Sequence, residues 1–353
     1  MGYVRPVHAM HLPHHWQRAF AQSLFALAAI LASPLPARAC DLCSIYTGSL
    51  LQQHKTGLLL GVAEQYTLFG TVRVDGKKVP NEANEWVHSS ITQLLVGYTF
   101  TPRIGVQMNV PLISRQYRRL EEGSQARGDV GGLGDLSIVG RVSPFSRAIG
   151  QLLVNTELLA GLKLPTGSSH RLGEEHEHED GGDEEEALAL ALPSPHHEEH
   201  EEHEESAVHG HDLTLGSGSV DGLFGASVHA SWQRLFGDLA AQYVVRGNGD
   251  FSYEYANDLT WEASIGYYVV AADRWTASLA LATSGENKGR DHQHGELQDD
   301  TAITAVYLGP GASVTWTDAL HAGLVIEAPL EQDNTGRQIV ADYRIRGGLT
   351  WRF

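Results

Sequence analysis

Histidine and carboxylate side chains are concentrated in one part of the chain, residues 165–217. Between Ser168 and Asp212 lie nine histidines and sixteen acidic residues. Neutral imidazole is a common ligand of Zn, Cu and Ni, and dense carboxylate raises the local cation concentration. The histidines are His170, His176, His178, His196, His197, His200, His203, His209 and His211. This composition predicts a segment that binds transition metals.

The spacing of these histidines bears on how specific such binding is. The pairs His176/His178 and His209/His211 allow many two- or three-ligand arrangements but no single tetrahedral set. We therefore expect labile binding of Zn, Cu or Ni, and no cofactor that the protein requires. A further pair, His292 and His294, supports a metal role. The alternative is a solvated polyanionic loop that binds metal only incidentally.

The chain has two cysteines, Cys40 and Cys43, in the sequence Cys-Asp-Leu-Cys. No histidine follows Cys43, so haem attachment of the C-x-x-C-H type is excluded. In an oxidising compartment the pair is expected to form a disulfide that closes a small loop. The alternative is a soft-metal site for Cu(I) or Zn in which both thiolates are ligands.

The N-terminal residues have the pattern of a secretory signal. A basic stretch with Arg5 and Arg18 precedes an apolar run at 21–32, and Ala37-Arg38-Ala39 provides a signal-peptidase pattern. The run is too short to cross a bilayer as a helix. We predict a removed signal peptide at 1–39 and a periplasmic N-terminal segment with the C-x-x-C pair at 40–56. A lipoprotein with Cys40 as its first mature residue is the alternative.

Apolar and polar residues alternate with period two along the rest of the chain, as they do in strands with one apolar face. In the last segment, for example, Tyr343, Ile345 and Trp351 alternate with arginines and other polar residues. Twelve such segments are predicted, near 57–71, 86–100, 104–118, 133–143, 150–164, 218–232, 237–250, 257–270, 274–284, 301–316, 319–330 and 339–353. The even number lets both chain ends lie on the same side of a membrane.

The connections between these segments alternate in length. Long connections are expected at 72–85, 119–132, 165–217 and 285–300, and moderate ones at 251–256 and 331–338, with short turns between them. Tight periplasmic turns and long external loops are typical of outer-membrane barrels. The fold prediction is therefore all-β, a transmembrane antiparallel β-barrel of about twelve strands at 57–353, with the His/Asp/Glu-rich loop 165–217 as an extracellular lid. A soluble all-β protein is the alternative.

Polar residues in the alternating segments are expected to line the lumen, and they carry both signs of charge. They are Gln107, Asn109, Asp135, Arg141, Glu157, Lys163, Arg246, Glu262, Glu327, Asp342, Arg344 and Arg346. Mixed charge favours a selective pore for small solutes over a strongly anion- or cation-specific one.

Composition excludes several other functions. The formal net charge of −18 argues against binding to nucleic acid, which requires a basic surface. The sequence contains no G-x-S-x-G, H-E-x-x-H or phosphate-loop motif, so we predict no enzyme. A hydrolase with catalytic residues on the barrel rim remains a less favoured alternative. The mean hydropathy of −0.22 is compatible with a barrel, in which every second residue faces the lumen.

Two glycine-rich motifs resemble a known family. They are GLGDLSIVGRV at 132–142 and GLKLPTG at 161–167, and they are similar to the outer-membrane proteins of the MetA-pathway of phenol degradation family over about 57–353. The resemblance implies a barrel that moves small, apolar or aromatic solutes, and it implies no catalytic residues. Within the first motif, Gly132 and Gly134 are expected to open a bend beside an inward Asp135.

These observations support two classes of function. The first is a monomeric outer-membrane channel or transporter for small solutes, linked to divalent transition metals through its external loop. The second is a non-conducting surface protein that sequesters metal and uses the barrel as an anchor. In both, the partners are outer-membrane lipid and a small molecule or metal ion.

Overall fold

The computed structural model describes residues 56–121, 123–174, 206–317 and 319–353. The predicted signal peptide, the two cysteines and the centre of the His-rich loop lie outside these described residues. No helix within the described ranges is long and apolar enough to cross a membrane.

Long antiparallel strands dominate the structure, because residues with a period-two pattern follow one another with few interruptions. The strands are β1 (Gly57–Val74), β2 (Lys77–Val79), β3 (Trp86–Thr101), β4 (Ile104–Glu121), β5 (Ser124–Leu133), β6 (Leu136–Val142), β7 (Ser146–Ile149), β8 (Leu152–Leu164), β9 (Asp221–Trp232), β10 (Leu235–Val245), β11 (Tyr253–Glu254), β12 (Asp258–Ala271), β13 (Trp275–Lys288), β14 (His292–Gln293), β15 (Glu296–Leu297), β16 (Ile303–Trp316), β17 (Leu320–Asn334) and β18 (Arg337–Arg352). Within the described ranges, the short helix α1 (Gly210–Leu213) and the 3₁₀ turns His170–Gly173 and Asp250–Ser252 lie between strands.

The main sheet closes on itself because β18 pairs with β1 as well as with β17. The strands β5 and β6 pair in turn along β4, and β6 and β7 pair in turn along β8, so β5, β6 and β7 form one interrupted strand of the wall. The wall therefore has twelve antiparallel strands. The predicted fold class and strand number are confirmed.

The two ends of the barrel differ. At one end of the barrel, which we name the turn end, neighbouring strands are joined by two or three residues, and the first and last residues of the wall also lie there. At the opposite end, which we name the loop end, lie the connection 165–220 and the connections at 246–257 and 289–302. The last two contribute β11, β14 and β15, which form a small separate sheet that period-two analysis did not predict.

Two predicted loops at the loop end are wrong. Residues 119–132 are mostly strand, because β4 runs to Glu121 and β5 begins at Ser124, and these two residues pair. Residues 331–338 are likewise strand except for a two-residue turn between β17 and β18. Their side chains are polar, so the apolar pattern ends there, but ladder hydrogen bonds join backbone groups and continue without apolar side chains.

Side chains divide by face, with polar side chains buried inside the barrel and apolar ones exposed on its outer surface. Along β4, Gln107, Asn109 and Arg115 are buried, whereas Ile104 and Leu112 on the opposite face are exposed. The exposed tryptophans at the turn end, Trp232, Trp275, Trp316 and Trp351, lie at or near strand ends. Their positions are typical of the aromatic girdle of an outer-membrane barrel.

The strands β17 and β18 separate towards the loop end. Their ladder runs from Leu320↔Trp351 to Glu327↔Arg344 and ends there, although both strands continue. Beyond that point the amide of Gln332 donates to the carbonyl of Ala341 (2.7 Å), and β18 remains paired with β1. The edge of β18 that faces away from β1 is therefore available to other segments.

The described C-terminal end of the long loop folds into the barrel. Residues 206–217, which we name the plug segment, bury Ala207, Val208 and Leu213 against inward side chains of the wall strands β1, β3, β4 and β18. Those wall residues are Val72, Val87, Tyr117 and Ile339. The expectation of a lid over the mouth is therefore corrected for these residues, since they pack inside the wall. Apolar side chains on both surfaces favour this position over exposure to water.

Candidate functional site

Asp135 holds both ends of the long loop. It follows Gly134 in the break between β5 and β6, where the amide N–H of Gly134 donates to the carbonyl of Pro111 (2.8 Å). The Asp135 carboxylate accepts hydrogen bonds from the backbone N–H of Gly167 (3.0 Å) and from the N–H and hydroxyl of Ser217 (2.8 and 2.9 Å). The structure therefore has the inward Asp135 beside Gly134 that the sequence motif predicts, and adds its role as the anchor of the loop.

A chain of buried charges continues from Asp135 along the wall. Lys163 lies 3.1 Å from Asp135 and 2.7 Å from Asp221. Arg246 then joins Asp221 (2.8 Å) to Asp258 (2.7 Å). Charges buried in this way must be paired, because desolvation of an unpaired ion costs several kcal/mol, about 3–5 when one partner is removed.

A second group of charged residues lies on β12, β13, β17 and β18. The guanidinium of Arg346 binds both oxygens of Glu327 (3.0 and 3.1 Å) and also contacts Glu262 (3.1 Å). Arg344 pairs with Glu286, which also accepts the hydroxyl proton of Tyr307 (2.9 Å). These contacts fix the positions of charges of both signs inside the barrel.

The remaining residues that were predicted to line the lumen also have polar partners. Arg141 binds Glu157 (3.0 Å), Gln107 donates to Asn109 (2.6 Å), and Asp342 accepts from Thr71 (2.7 Å). Sequence reasoning missed Asp221, Asp258 and Glu286. All three lie on the alternation that places Lys163, Glu262 and their neighbours inward. Asp221 and Asp258 fall inside the predicted segments 218–232 and 257–270, and Glu286 lies two residues beyond the segment 274–284, so the same alternation could have found them.

Glu85 anchors the start of the plug segment. Its side chain is buried, and its carboxylate accepts hydrogen bonds from the hydroxyl of Ser206 (2.6 Å), the N–H of Ala207 (3.1 Å) and the N–H of Leu120 (3.0 Å). Glu85 lies just before β3 in a connection that period-two patterns do not describe, and the sequence has no signal that identifies it.

Further contacts hold the plug segment along its length. The N–H of Ile339 on the separated edge of β18 donates to the carbonyl of Ala207 (2.9 Å). Arg115 donates to the carbonyl of Thr214, and the hydroxyl of Tyr255 donates to the carbonyl of His211 (3.2 Å). All of these are hydrogen bonds to backbone groups of the plug segment, so the segment is docked in the lumen without being a strand of the wall.

The structure brings two of the predicted metal ligands together. His209, His211 and Asp212 each offer one ligand atom, and these atoms lie within 4.8 Å of one another. The two imidazole rings are stacked with centroids 5.3 Å apart. The other nitrogen of the His209 ring, Nε2, lies 3.2 Å from Oδ2 of Asp300, which precedes β16.

Other predicted ligands do not join this cluster. Within the described ranges, His209, His211 and Asp212 form the single group of three or more potential ligands. His170 is exposed in its 3₁₀ turn, and His292 and His294 belong to or follow β14 in the small sheet. The positions that lie outside the described residues are Cys40, Cys43, His176, His178, His196, His197, His200 and His203.

Cavities lie on two sides of the plug segment. The first is lined by the apolar side chains of Ile91, Ile113 and Leu215 together with the charged groups of Asp135 and Lys163. The second is lined by Ile91 as well, and by Phe69, Tyr307 and Ile339 with Arg115 and Glu286. A third cavity, towards the turn end, is bordered by Asp238, Glu262, His321 and Arg346. Each cavity combines apolar surface with a few charged groups.

Similar folds occur among solved outer-membrane proteins. The chain is similar to an outer membrane channel from Pseudomonas putida F1, with 16% identity and a TM-score of 0.58, over 85% of this chain and 96% of that one. It is also similar to the transport unit of the autotransporter AIDA-I from Escherichia coli, with 10% identity and a TM-score of 0.44, over 93% and 97% of the two chains. The first similarity shows a shared barrel fold.

No protein-family model matches the sequence. No curated protein matches it either.

Proposed function

We propose that this protein is a channel for small solutes in the outer membrane of a Gram-negative bacterium, and that the plug segment closes the channel. The outward face of the wall is apolar and carries an aromatic girdle, which suits a lipid environment. The inward face carries paired charges and polar groups, which suits a path for solutes. The signal peptide predicted at 1–39 agrees with export to this membrane.

The observation that carries this proposal is the way the plug segment is held. Its contacts with the wall and its connections include hydrogen bonds accepted by Glu85 and Asp135, hydrogen bonds donated by Arg115 and Ile339, and one apolar cluster. Releasing these contacts would open the space between the flanking cavities without breaking a ladder of the barrel. A segment that can leave the lumen in this way is expected of a gate.

The lining of the cavities suggests the class of solute. Isoleucine, leucine, phenylalanine and tyrosine side chains alternate there with charged pairs, which suits a small molecule with an apolar body and one polar group. This agrees with the apolar or aromatic solutes that the family resemblance implies. We propose this class as the solute, with the protein acting as a monomer and not as an enzyme.

A second function is favoured by the histidines inside the mouth. The cluster of His209, His211 and Asp212, within the nine-histidine loop 165–217, would suit a surface protein that sequesters transition metal and uses the barrel as an anchor. That alternative predicts no permeable pore even when the plug segment is released.

Release of the plug segment tests the channel directly. Glu85→Ala removes the acceptor of three hydrogen bonds, and Glu82→Ala, an exposed carboxylate in the same connection, is the matched control. In planar bilayers we expect Glu85→Ala to raise the open population, by roughly 5- to 150-fold for a loss of about 1–3 kcal/mol. Glu82→Ala should conduct like the unchanged protein.

The outcome separates the two functions. Both variants must first be shown to be folded, by their shift in gel mobility on heating. A folded Glu85→Ala barrel that conducts no ions and passes no small apolar solute into liposomes would contradict the channel and support the anchor.

A further inference from the structure

We propose that His209, His211 and Asp212 of the plug segment form a transition-metal site, and that Asp300, in the connection before β16, holds the far nitrogen of His209, so that a bound ion fastens the plug segment inside the barrel. The site itself is independent of transport, whereas its effect on opening rests on the proposed channel function. The general prediction from composition was labile binding spread over many histidines; the structure instead assigns a defined site to two of them.

The local geometry of the plug segment prepares these ligands. His209 precedes α1, and its backbone N–H donates to Oδ2 of Asp212 (3.0 Å), so the first turn of this helix holds the carboxylate beside the imidazole. Nδ1 of His209 lies 3.9 Å from Oδ2 of Asp212, and Nε2 of His211 lies 3.6 Å from Oδ1 of the same residue. Three potential ligands therefore converge within four consecutive residues.

Asp300 supports the site from the far side of the His209 ring. Nε2 of His209 and Oδ2 of Asp300 are 3.2 Å apart, whereas the nitrogen that faces Asp212 is Nδ1. Because the two nitrogens of an imidazole point away from each other, an ion bound at Nδ1 leaves the Nε2–H group to donate to Asp300. A carboxylate in this position fixes the orientation of the ligand ring and raises its basicity, and it links the plug segment to the connection that precedes β16.

The side chains of the cluster are partly held in place and remain accessible to an ion from solution. The side chains of His209 and His211 are 16% and 6% exposed, whereas those of Asp212 and Asp300 are 33–35% exposed. His211 is also stacked on Tyr253, with ring centroids 6.3 Å apart, and its carbonyl accepts the hydroxyl proton of Tyr255. The imidazoles are thus held by packing, and the carboxylates leave a route for an ion from solution.

The donor set indicates which metals would bind. Two imidazoles with one or two carboxylates suit Zn²⁺, Cu²⁺, Ni²⁺ or Co²⁺, whereas Mg²⁺ and Ca²⁺ prefer oxygen ligands alone. We take Zn²⁺ as the probe because it has no redox chemistry and accepts this set in tetrahedral geometry. Mg²⁺ serves as the negative control.

Calorimetry on the whole protein, folded in detergent, tests the site. The double variant His209→Asn/His211→Asn is compared with His196→Asn/His197→Asn, which removes the same number of histidines from the same loop. We expect the unchanged protein to bind one Zn²⁺ tightly and further ions weakly. The tight event should be lost in the first variant, since even outer-shell partners of a metal are worth about 10- to 100-fold in affinity, and it should persist in the second.

Asp300→Asn tests the connection to the wall and serves if the double variant does not fold. It should weaken Zn²⁺ binding by about ten-fold or more, whereas Asp299→Asn, the exposed neighbour, should not. Hydrogen exchange of residues 206–217 gives a readout that needs no open pore. Zn²⁺ should slow this exchange in the unchanged protein and have no such effect in Asp300→Asn.

The results distinguish failure of the site from failure of the channel. Equal Zn²⁺ binding by the two double variants, or unchanged exchange of the plug segment with Zn²⁺, would overturn the proposed site. A barrel that binds Zn²⁺ as predicted and slows the exchange of its plug segment, but never conducts after Glu85→Ala, would retain the site and reject the channel.

Discussion

At the scale of single residues, Asp135 shows how a barrel can hold a segment inside its lumen. One carboxylate accepts hydrogen bonds from residues at both ends of the long loop, Gly167 and Ser217, and also pairs with Lys163. Because both residues bind the same carboxylate, the loop begins and ends at the same place on the wall. The inward position of Asp135 follows from its strand, but its partners are distant in sequence.

Replacing Asp135 should loosen the base of the loop. Asp135→Ala leaves the N–H groups of Gly167 and Ser217 and the ammonium of Lys163 without this partner, at a cost of about 1–3 kcal/mol for each buried group left unsatisfied. We expect a lower midpoint of urea unfolding and faster hydrogen exchange in residues 206–217. Asp129→Ala, an exposed carboxylate on β5, is the control. Equal exchange in the two variants would contradict the anchoring role.

Arg346 offers a test of the buried charge pairs. Arg346→Met leaves Glu327, whose side chain is 0% exposed, without the guanidinium that binds both of its oxygens. Breaking a buried pair on one side costs about 3–5 kcal/mol, whereas removing both charges is often neutral. We therefore expect Arg346→Met to lower the free energy of unfolding and Arg346→Met/Glu327→Leu to recover much of it. A double variant that is as unstable as the sum of the single variants would show that the pair does not act as a unit.

At the scale of elements, close approach of strands decides where glycine is required. A Cβ atom at Gly309 in β16 would lie 1.7 Å from the carbonyl oxygen of Ile326 in β17, a backbone atom that cannot move alone. At Gly140 in β6 the nearest atom would be 3.7 Å away, which is ordinary van der Waals contact. Both glycines lie in strands of the wall, but the structure requires only the first to lack a side chain.

This difference predicts opposite results for two alanine substitutions. Gly309→Ala should reduce the amount of folded, heat-modifiable protein in the membrane, because β16 and β17 must move apart. Gly140→Ala should leave it unchanged. Equal yields of the two folded variants, measured by the gel shift on heating, would mean that the β16–β17 pair adapts without loss of assembly.

A second feature at the scale of elements is the separation of β17 and β18 towards the loop end. Between the end of their ladder and their connecting turn, β18 is bonded to β1 on one side and reaches the plug segment through Ile339 on the other. The backbone donor that would otherwise extend the β17–β18 ladder thus holds Ala207. Docking of the plug segment and the local shape of the wall are therefore connected.

At the scale of the whole molecule, the orientation of the proposed channel determines whether solutes from the medium or solutes from the periplasm meet the plug segment first. The short connections lie at one end and the long ones at the other, and in outer-membrane barrels the long ones are external. With the loop end outside, the proposed metal site and the plug segment would face the medium, and the third cavity would face the periplasm.

Cysteine labelling in intact cells tests this orientation. Asp299→Cys places a thiol at an exposed loop-end position, and Asp273→Cys places one in an exposed turn between β12 and β13. A membrane-impermeant maleimide should label the first variant in intact cells and the second only after the outer membrane is permeabilised. The unchanged protein reports any labelling of Cys40 and Cys43. The reverse pattern would place the long loops in the periplasm.

The sequence alone determined much of this molecule, because barrel strands obey a local rule. Every second residue of a wall strand faces outward, so alternation identified the twelve wall strands and the inward side of Gln107, Lys163 and Arg346. The same rule gave wrong ends for β4, β5, β17 and β18, since polar outward residues beyond the apolar band carry no periodic signal.

Only the tertiary structure decided what the inward residues do. Three contacts join residues that are between 32 and 122 positions apart: Glu85 with Ala207, Asp135 with Gly167, and His209 with Asp300. Such contacts depend on how the closed wall brings distant strands around one lumen, and on which loop residues can displace water from its apolar patches. Local patterns record which side of a strand a residue occupies, whereas the partner it meets there is set by packing of the whole barrel.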